Sequence, residues 1–488
     1  MSLATFKGGA HPYEGKALSE NCAIEQLDFD GDFVFPMSQH IGAPAKPVVA
    51  KGDHVLAGQI IGEAGGFISA NVLSSVSGTV KAVEPRMQVG GSPVLSVVVE
   101  SDGQYETISG VGTKRDYTAL SKEEIRAIVK DAGIVGIGGA GFPTHVKLTP
   151  KNDAAIDYVI ANGSECEPFL TSDYRLMLEQ AEKVIGGIEV CLQLFPNAKG
   201  VIGVENNKPE AIKHLRELCQ SHPRIEVKEL LTKYPEGGER QLINAVTGRY
   251  INSTMLPADA GCLVQNVATM LAIYEAVCES TPLMQKVITI SGDAVAKTAN
   301  VRVRLGSSYA RILEAVGGLK VPAKKTICGG PMMGQALFEL DCPVTKPSSA
   351  LCAFADDEVA DNPTTPCIRC GRCVSVCPEF LIPPLMLQAA VHGDLDEFEH
   401  LNGMECIECG SCSYICPASR PLTQSFKQAR KMVAAKRRLE QAEKKLREQH
   451  EAEAKKQEEA KQAEAKQAAE AAEKTGVFEG ARGSEDGK

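Results

Sequence analysis

The chain has 488 residues, 43% of them hydrophobic and 23% charged, which allows about two to four folded domains. Its net charge of −10 removes any general electrostatic case for nucleic acid as a partner. No stretch approaches the ~18–20 apolar residues of a membrane span, and the opening MSLATFKGGAHPYEGK lacks an apolar core of signal-peptide length. Seventeen cysteines in such a chain indicate thiols kept reduced for metal or redox chemistry, not a disulfide framework, and so a cytoplasmic location.

Residues 1–112 are rich in glycine, valine and proline. VVAKGDHVLAGQII, VLSSVSGTVKAVE and SPVLSVVVE read as short strands joined by turns. KGDHVLAGQ followed by SGTV resembles the biotinyl/lipoyl type of barrel-sandwich. The hairpin tip where such domains carry a modified lysine holds Ser74-Ser75-Val76, so a structural or docking role is expected.

Residues 113–282 alternate strands with helices, the pattern of an α/β domain with a mainly parallel sheet. LSKEEIRAIVKDAG opens with a capping box, Ser121 with Glu124, ahead of helically spaced Ile125, Ile128 and Val129. DYVIAN, GVIGVE and IEVKEL read as strands; YRLMLEQAEKVIGGIEVCLQLF and KPEAIKHLRELC each read as one helix. Between them, Gly136 to Gly141 spell G-x-G-x-x-G, but after a helix rather than the strand that a Rossmann fold requires. Such a loop still lets backbone amides approach a phosphate or a flat ring, with Lys147 downstream as counter-charge. Asn162, Ser164 and Glu165 follow an apolar strand, where α/β sheets bind ligands. The competing reading is a turn whose polar residues cap the helix after Thr171.

Residues 283–356 return to short strands, KVITISG and NVRVRLG, then a helix, YARILEAVGG, and read as a small β-grasp module. Residues 357–424 hold two cysteine blocks, and residues 425–488 are almost wholly Ala, Glu, Lys, Gln and Arg. That composition predicts a solvated helix or frayed tail outside any core. The fold class is therefore multidomain α/β and α+β, with a ferredoxin-like helical segment and a charged helical tail.

Each block is Cys-x2-Cys-x2-Cys-x3-Cys-Pro: CIRCGRCVSVCP from Cys367 and CIECGSCSYICP from Cys406. Iron–sulfur clusters need soft thiolates at the corners of a cube, and three cysteines two apart wrap three corners. In two-cluster ferredoxins the fourth cysteine ligates the other cluster. One [4Fe-4S] cluster is thus expected on Cys367, Cys370, Cys373 and Cys416, and a second on Cys406, Cys409, Cys412 and Cys377. Zinc sites pair Cys-x2-Cys units across a longer spacer and match poorly. The other cysteines are expected to be small buried apolar residues.

GGAGFPTHVK followed by NGSECEP, then YPEGGERQL and QNVAT, resembles the FMN- and NADH-binding flavoprotein subunit of respiratory complex I. The resemblance places FMN contacts at Gly136, Gly138, Lys147, Asn162, Ser164, Glu165, Gly237, Gln265 and Asn266, and NADH contacts at Phe142, Glu167 and Glu239. Ser164, Gly238 and Gln265 depart from that family's aspartate, glutamate and asparagine. The order of parts, from GGAHP to the alanine- and lysine-rich tail, resembles the RnfC family, a component of the Rnf (Rsx) electron-transport complexes. That resemblance implies a peripheral subunit on the cytoplasmic side of an inner-membrane, ion-translocating complex. It would pass electrons between NAD(H), FMN and two [4Fe-4S] clusters, to or from ferredoxin-type carriers through partner subunits, with no group acting as nucleophile or base. The alternative is a passive electron-wiring or scaffold subunit whose flavin domain binds no nucleotide.

Overall fold

A computed structural model describes residues 3–474. The first hundred residues form two facing β layers. One is a four-stranded sheet in the order Gly31–Pro36, Pro93–Ser101, Gly78–Met87, His54–Val55; the other joins Lys46–Pro47, Ile60–Glu63 and Val72–Leu73. Cross-strand pairs Phe33 with Val99 and Phe35 with Val97 point into a core shared with Met37, Val55, Ile61 and Val80. This is the sandwich that the alternating valines imply. Ser74 and Ser75 are buried rather than displayed at a tip, and the Ser75 hydroxyl donates to Leu305 O at 2.6 Å. The turn is a docking surface inside the molecule.

The second layer system is a wholly parallel four-stranded sheet, ordered Ile225–Leu230, Lys199–Glu205, Tyr158–Asn162, Cys262–Asn266. All three expected strands lie in it; Tyr158–Asn162 and Lys199–Glu205 are largely apolar and buried, whereas the edge strand Ile225–Leu230 carries Glu226, Lys228 and Glu229. Lys122–Asp131 begins with the expected capping box, Ser121 with Glu124. The single long helix read from YRLMLEQAEKVIGGIEVCLQLF is two, Ser172–Glu179 and Ala181–Leu194, because Gln180 leaves the helical region at φ −133°. The bend lets the second helix lie along Val267–Glu279, the helix that follows the last strand. Gly187 makes that approach possible: a Cβ there would overlap the carbonyl of Met270.

Residues 285–354 build a six-stranded mixed sheet, ordered Ile24–Gln26, Ala299–Arg304, Gln285–Ser291, Ala350–Phe354, Lys325–Cys328, Gln335–Ala336. Its edge strand comes from the N-terminal part of the chain. Its inner face shares one continuous core with the parallel-sheet domain, from Ile125 through Val287 to Leu351. The boundary drawn at 282/283 divides the sequence without dividing the core.

The cysteine segment is helical, with Pro383–His392 and Leu395–His400 between the two blocks. The charged tail begins earlier and deeper than its composition suggests, which corrects both the 424/425 boundary and the expectation of a wholly solvated tail. A helix spans Leu422–Lys474, and Leu422, Phe426, Ala429 and Val433 are buried against Leu381, Met386, Leu387 and Phe398. Four apolar residues at i, i+4, i+7 and i+11 suffice for a seam even where charge surrounds them. Beyond Glu440 the described side chains are exposed. Among the described residues no helix is long and apolar enough to cross a membrane.

Replacing Gly187 by Ala forces the two core helices apart. A loss of about 1–3 kcal/mol, the usual cost of overpacking, is expected as a lower urea midpoint at unchanged slope.

Candidate functional site

The carboxyl ends of the parallel strands share one edge of the sheet, the candidate cleft, with Asn162 and Asn266 closing neighbouring strands and facing each other in register. The glycine loop arches beside them. Gly136 N donates to Phe142 O at 2.8 Å, closing the loop on itself, and Ile137 N donates to Thr269 Oγ1 at 3.0 Å, tying it to the helix behind. Gly138 sits at φ +75° with the Asn266 amide 3.4 Å from where its Cβ would be, Gly139 has open space, and residues 138–140 are exposed. A bare backbone thus faces the cleft, as close approach by a planar ligand requires. Phe142 is partly exposed beside it.

The polar residues after the middle strand take more varied positions. The Asn162 amide donates to Gly237 O at 2.8 Å and its oxygen accepts from Ser164 N. Glu165, at φ +47°, turns its carboxylate onto the start of Ser172–Glu179, accepting from Asp173 N at 2.7 Å and Tyr174 N at 3.1 Å. Thr171 itself gives no side-chain cap, so Glu165 is the capping anion at a positive helix end. Glu165 thus caps the helix, as the second reading of this loop expects.

Lys147 and Glu239, expected on different ligands, meet each other at 2.7 Å, with Lys147 also donating to Val264 O. Asn266 donates to Asp173 Oδ2 at 2.6 Å. Burial, with the Glu165 charge behind it, raises the Asp173 pKa well above the carboxylate range. Ser164 Oγ and Gln265 Nε2 are buried with no hydrogen-bond partner. These two stand at two of the departures from the complex I pattern. At the third, Gly238, a Cβ would press on Gln241 Oε1 at 2.5 Å. Gln241 in turn donates to Glu379 at 2.6 Å, so the missing side chain leaves room for a contact with the cysteine segment.

Glu167 points away from the cleft. Its carboxylate accepts from Met332 N at 3.1 Å and Met333 N at 2.9 Å, in a loop of the six-stranded module. The expectation of a nicotinamide contact through this carboxylate does not match its position, because two backbone donors and close packing against Gly330 already hold it.

Two lysines escaped the sequence reading. Lys16 Nζ donates to the carbonyls of Glu165 (2.7 Å), Glu167 (3.1 Å) and Leu170 (2.8 Å), and Lys208 Nζ to Ser164 O (2.6 Å) beside Glu205. The signal for Lys16 was its place at the end of GGAHPYEGK; nothing local marked Lys208.

The cysteine blocks repeat in geometry as in sequence. Arg369 and Glu408 both lie at positive φ, as do Gly371 and Gly410, and each block donates an amide to its first thiol at 3.4 Å, Arg369 N to Cys367 Sγ and Glu408 N to Cys406 Sγ. A small cavity of about 20 Å³ is lined by Cys406, Cys409 and Cys412 together with Cys377 of the other block. Burial pushes the Cys406 and Cys412 thiols up to about 12, with the neighbouring Cys409 and Cys377 adding to it. Cys416 is likewise a near neighbour of Cys373. Among the described residues no three thiols or other ligands converge on a point as a single ion would need. Cys367 and Cys370 are exposed and Cys409 is buried, so one set opens to the surface and the other faces inward.

Comparison with known proteins agrees with these parts in order. Residues 4–104 match the RnfC barrel sandwich hybrid domain, 129–275 the Nuo51 FMN-binding domain, 287–336 the SLBB domain and 359–417 the 4Fe-4S dicluster domain. The chain is 43% identical over 384 residues to the RnfC-type subunit of the proton-translocating ferredoxin:NAD(+) oxidoreductase complex of Clostridium ljungdahlii, covering 79% of this chain and 84% of that one. It is 44% identical over 440 residues to the equivalent subunit of the Na(+)-translocating complex of Acetobacterium woodii, covering 89% and 98%. The chain belongs to the RnfC family of these ion-translocating oxidoreductases. The family resemblance read from GGAGFPTHVK, NGSECEP and the paired cysteine blocks therefore holds. A solved NAD+-reducing [NiFe]-hydrogenase aligns at a TM-score of 0.46 and 20% identity over 58% of this chain and 54% of that one.

A Gly138→Asp substitution places a charge and a Cβ at the exposed φ +75° turn. Purified protein is expected to lose bound flavin absorbance at least tenfold while its iron content is unchanged.

Proposed function

We propose that this subunit binds NAD(H) and FMN at the cleft between the glycine loop and the strand ends, and carries two [4Fe-4S] clusters on the crossed cysteine sets. It serves as a peripheral subunit, on the cytoplasmic side of the membrane, of a complex that couples electron transfer with ferredoxin-type carriers to ion movement. The single observation that carries the reading is the direct joint between the two sites: Tyr234, buried in the YPEGGER segment, donates its hydroxyl to Cys409 O at 2.7 Å.

Bound in this frame, FMN supplies the exchange between a two-electron hydride and single electrons, and the clusters supply the one-electron path. The protein's own work is positioning. Gly138 and Gly139 keep the loop free of side chains where a flat ring approaches, and Ser164 Oγ and Gln265 Nε2 are buried with no hydrogen-bond partner. Lys147 offers a cation and Glu239 an anion at its edge. The loop of residues 162–170 is held from behind by Lys16 and Lys208, so its amides and side chains are preorganised. Cys406, Cys409, Cys412 and Cys377 would hold the cluster nearer the cleft, and Cys367, Cys370, Cys373 and Cys416 the one nearer the surface. Arg240 fixes the spacing of cleft and cluster by pairing with Glu379 at 2.9 Å and Glu405 at 3.0 Å. The module of residues 283–356, read as a β-grasp, supplies the loop that packs on Gly410.

The crossed ligation has a separable test. Cys377→Ser is expected to abolish the electron paramagnetic resonance signal of the inner cluster, and Cys416→Ser that of the outer one, each leaving the other signal largely intact. Loss of the signal belonging to the replaced cysteine's own block would reverse the assignment. Adding NADH to the anaerobic holoprotein is expected to bleach flavin and cluster absorbance together. A chain that stays oxidised is the passive wiring subunit instead.

A further inference from the structure

Glu167 occupies an unusual place: a carboxyl enclosed between three parts of the molecule. It belongs to the cleft loop, it accepts from the Met332 and Met333 amides of the six-stranded module, and Glu167 Oε1 lies 3.4 Å from Tyr234 Oη. Tyr234 Oη in turn lies 2.7 Å from Cys409 O. A phenol has one proton to give. The shorter bond claims it for Cys409 O, which leaves Tyr234 Oη facing Glu167 Oε1 with only lone pairs. Two oxygens without a hydrogen between them repel if Glu167 is a carboxylate. If Glu167 carries a proton, the three groups form a continuous donor chain, from Glu167 Oε1 to Tyr234 Oη and from Tyr234 to Cys409 O. The loop carrying Met332 touches the same cysteine block: a Cβ on Gly410 would stand 3.0 Å from Met332 O.

The surroundings place the proton's exchange within reach of neutral pH. Burial pushes the Glu167 pKa up to about 7, partly offset by the Met332 and Met333 amides and the Lys16 ammonium. The other titratable groups facing it are thiols: Cys166, beside it in the loop, and Cys352, on the strand Ala350–Phe354. Burial holds both thiols well above their ordinary range, so they stay neutral and do not compete for the proton. Lys16 bonds three carbonyls, and burial together with the neighbouring Lys208 lowers its pKa.

We propose that Glu167 takes up one proton from solvent when one electron reaches the cluster held by Cys406, Cys409, Cys412 and Cys377, and releases it when the electron leaves. The inference rests on that cluster assignment. One O–H bond forms at Glu167 Oε1 as one breaks in hydronium or water, the electron comes from the flavin side, and no ligand bond changes. The added negative charge on the cluster is felt through Cys409 O and Tyr234, and the Glu167 carboxyl enclosed behind them answers it, while Glu379 and Glu408 line the cluster cavity itself. Tyr234 remains protonated throughout and acts as a positioning residue. The device holds the total charge of the inner site constant and makes its potential follow pH.

The test uses the full-length holoprotein with iron content verified. Potentiometric titration followed by electron paramagnetic resonance is made at pH 6, 7 and 8. The inner cluster is expected to shift toward lower potential as pH rises through 7, approaching the tenfold-per-pH-unit response, about 59 mV for a one-electron couple. The outer cluster should move little. Glu167→Gln should flatten the inner cluster's response. Tyr234→Phe, which keeps the ring but breaks the chain, should reduce it. Reduced-minus-oxidised infrared spectra of the unaltered protein should show a protonated carboxyl band, downshifted in D2O and absent in Glu167→Gln. A pH-independent inner potential in the unaltered protein overturns the proposal, as does a full response in a cluster-loaded Glu167→Gln. Absence of the cluster itself from the unaltered holoprotein overturns the ligand assignment instead.

Discussion

One ammonium organises the cleft. Lys16 Nζ, nearly lost to solvent, satisfies the carbonyls of Glu165, Glu167 and Leu170, and no other group could hold all three from one point. A buried charge is costly unless its donors are fully used. Here all three are, and the result is a loop with two residues at positive φ, Glu165 and Phe169, held without a regular element of its own. The cleft wall, the helix cap supplied by Glu165 and the enclosure of Glu167 all follow from that loop's shape.

The same logic explains why the first residues of the chain belong to no single domain. Ala4 bridges to Leu230, Ala10 to Tyr234, and Ile24–Gln26 completes the edge of the six-stranded sheet. Gly9 N donates to Val376 O at 2.8 Å, and Gly8 approaches Cys377 O too closely for any side chain. The segment thus runs from the parallel sheet past the cysteine blocks and back to the cleft. What reads in the sequence as a preface is a strap across the functional parts.

Local patterns were legible wherever local physics decided them. The capping box at Ser121, the apolar runs at Tyr158–Asn162 and Lys199–Glu205, and the twin cysteine spacings announce their own geometry. Lys208 and Asp173 were invisible because their partners lie far away in sequence and only the fold brings them near. The break at Gln180 was hidden by an unbroken helical periodicity, since the packing of Gly187 on Met270 decides it. Composition concealed the buried start of the last helix, where four apolar positions outweigh a charged neighbourhood. Glu167 was placed by motif on the ligand side, whereas the Met332 and Met333 amides claim its carboxylate.

The pairing of Gly8 and Gly9 with Val376 and Cys377 has a consequence for biogenesis. Residues 8 and 9 must wait for residues more than three hundred and fifty positions later in the chain before their contact can form. Closure of that contact is therefore a late event in folding, reached only once the turn at Val376 and Cys377 has formed.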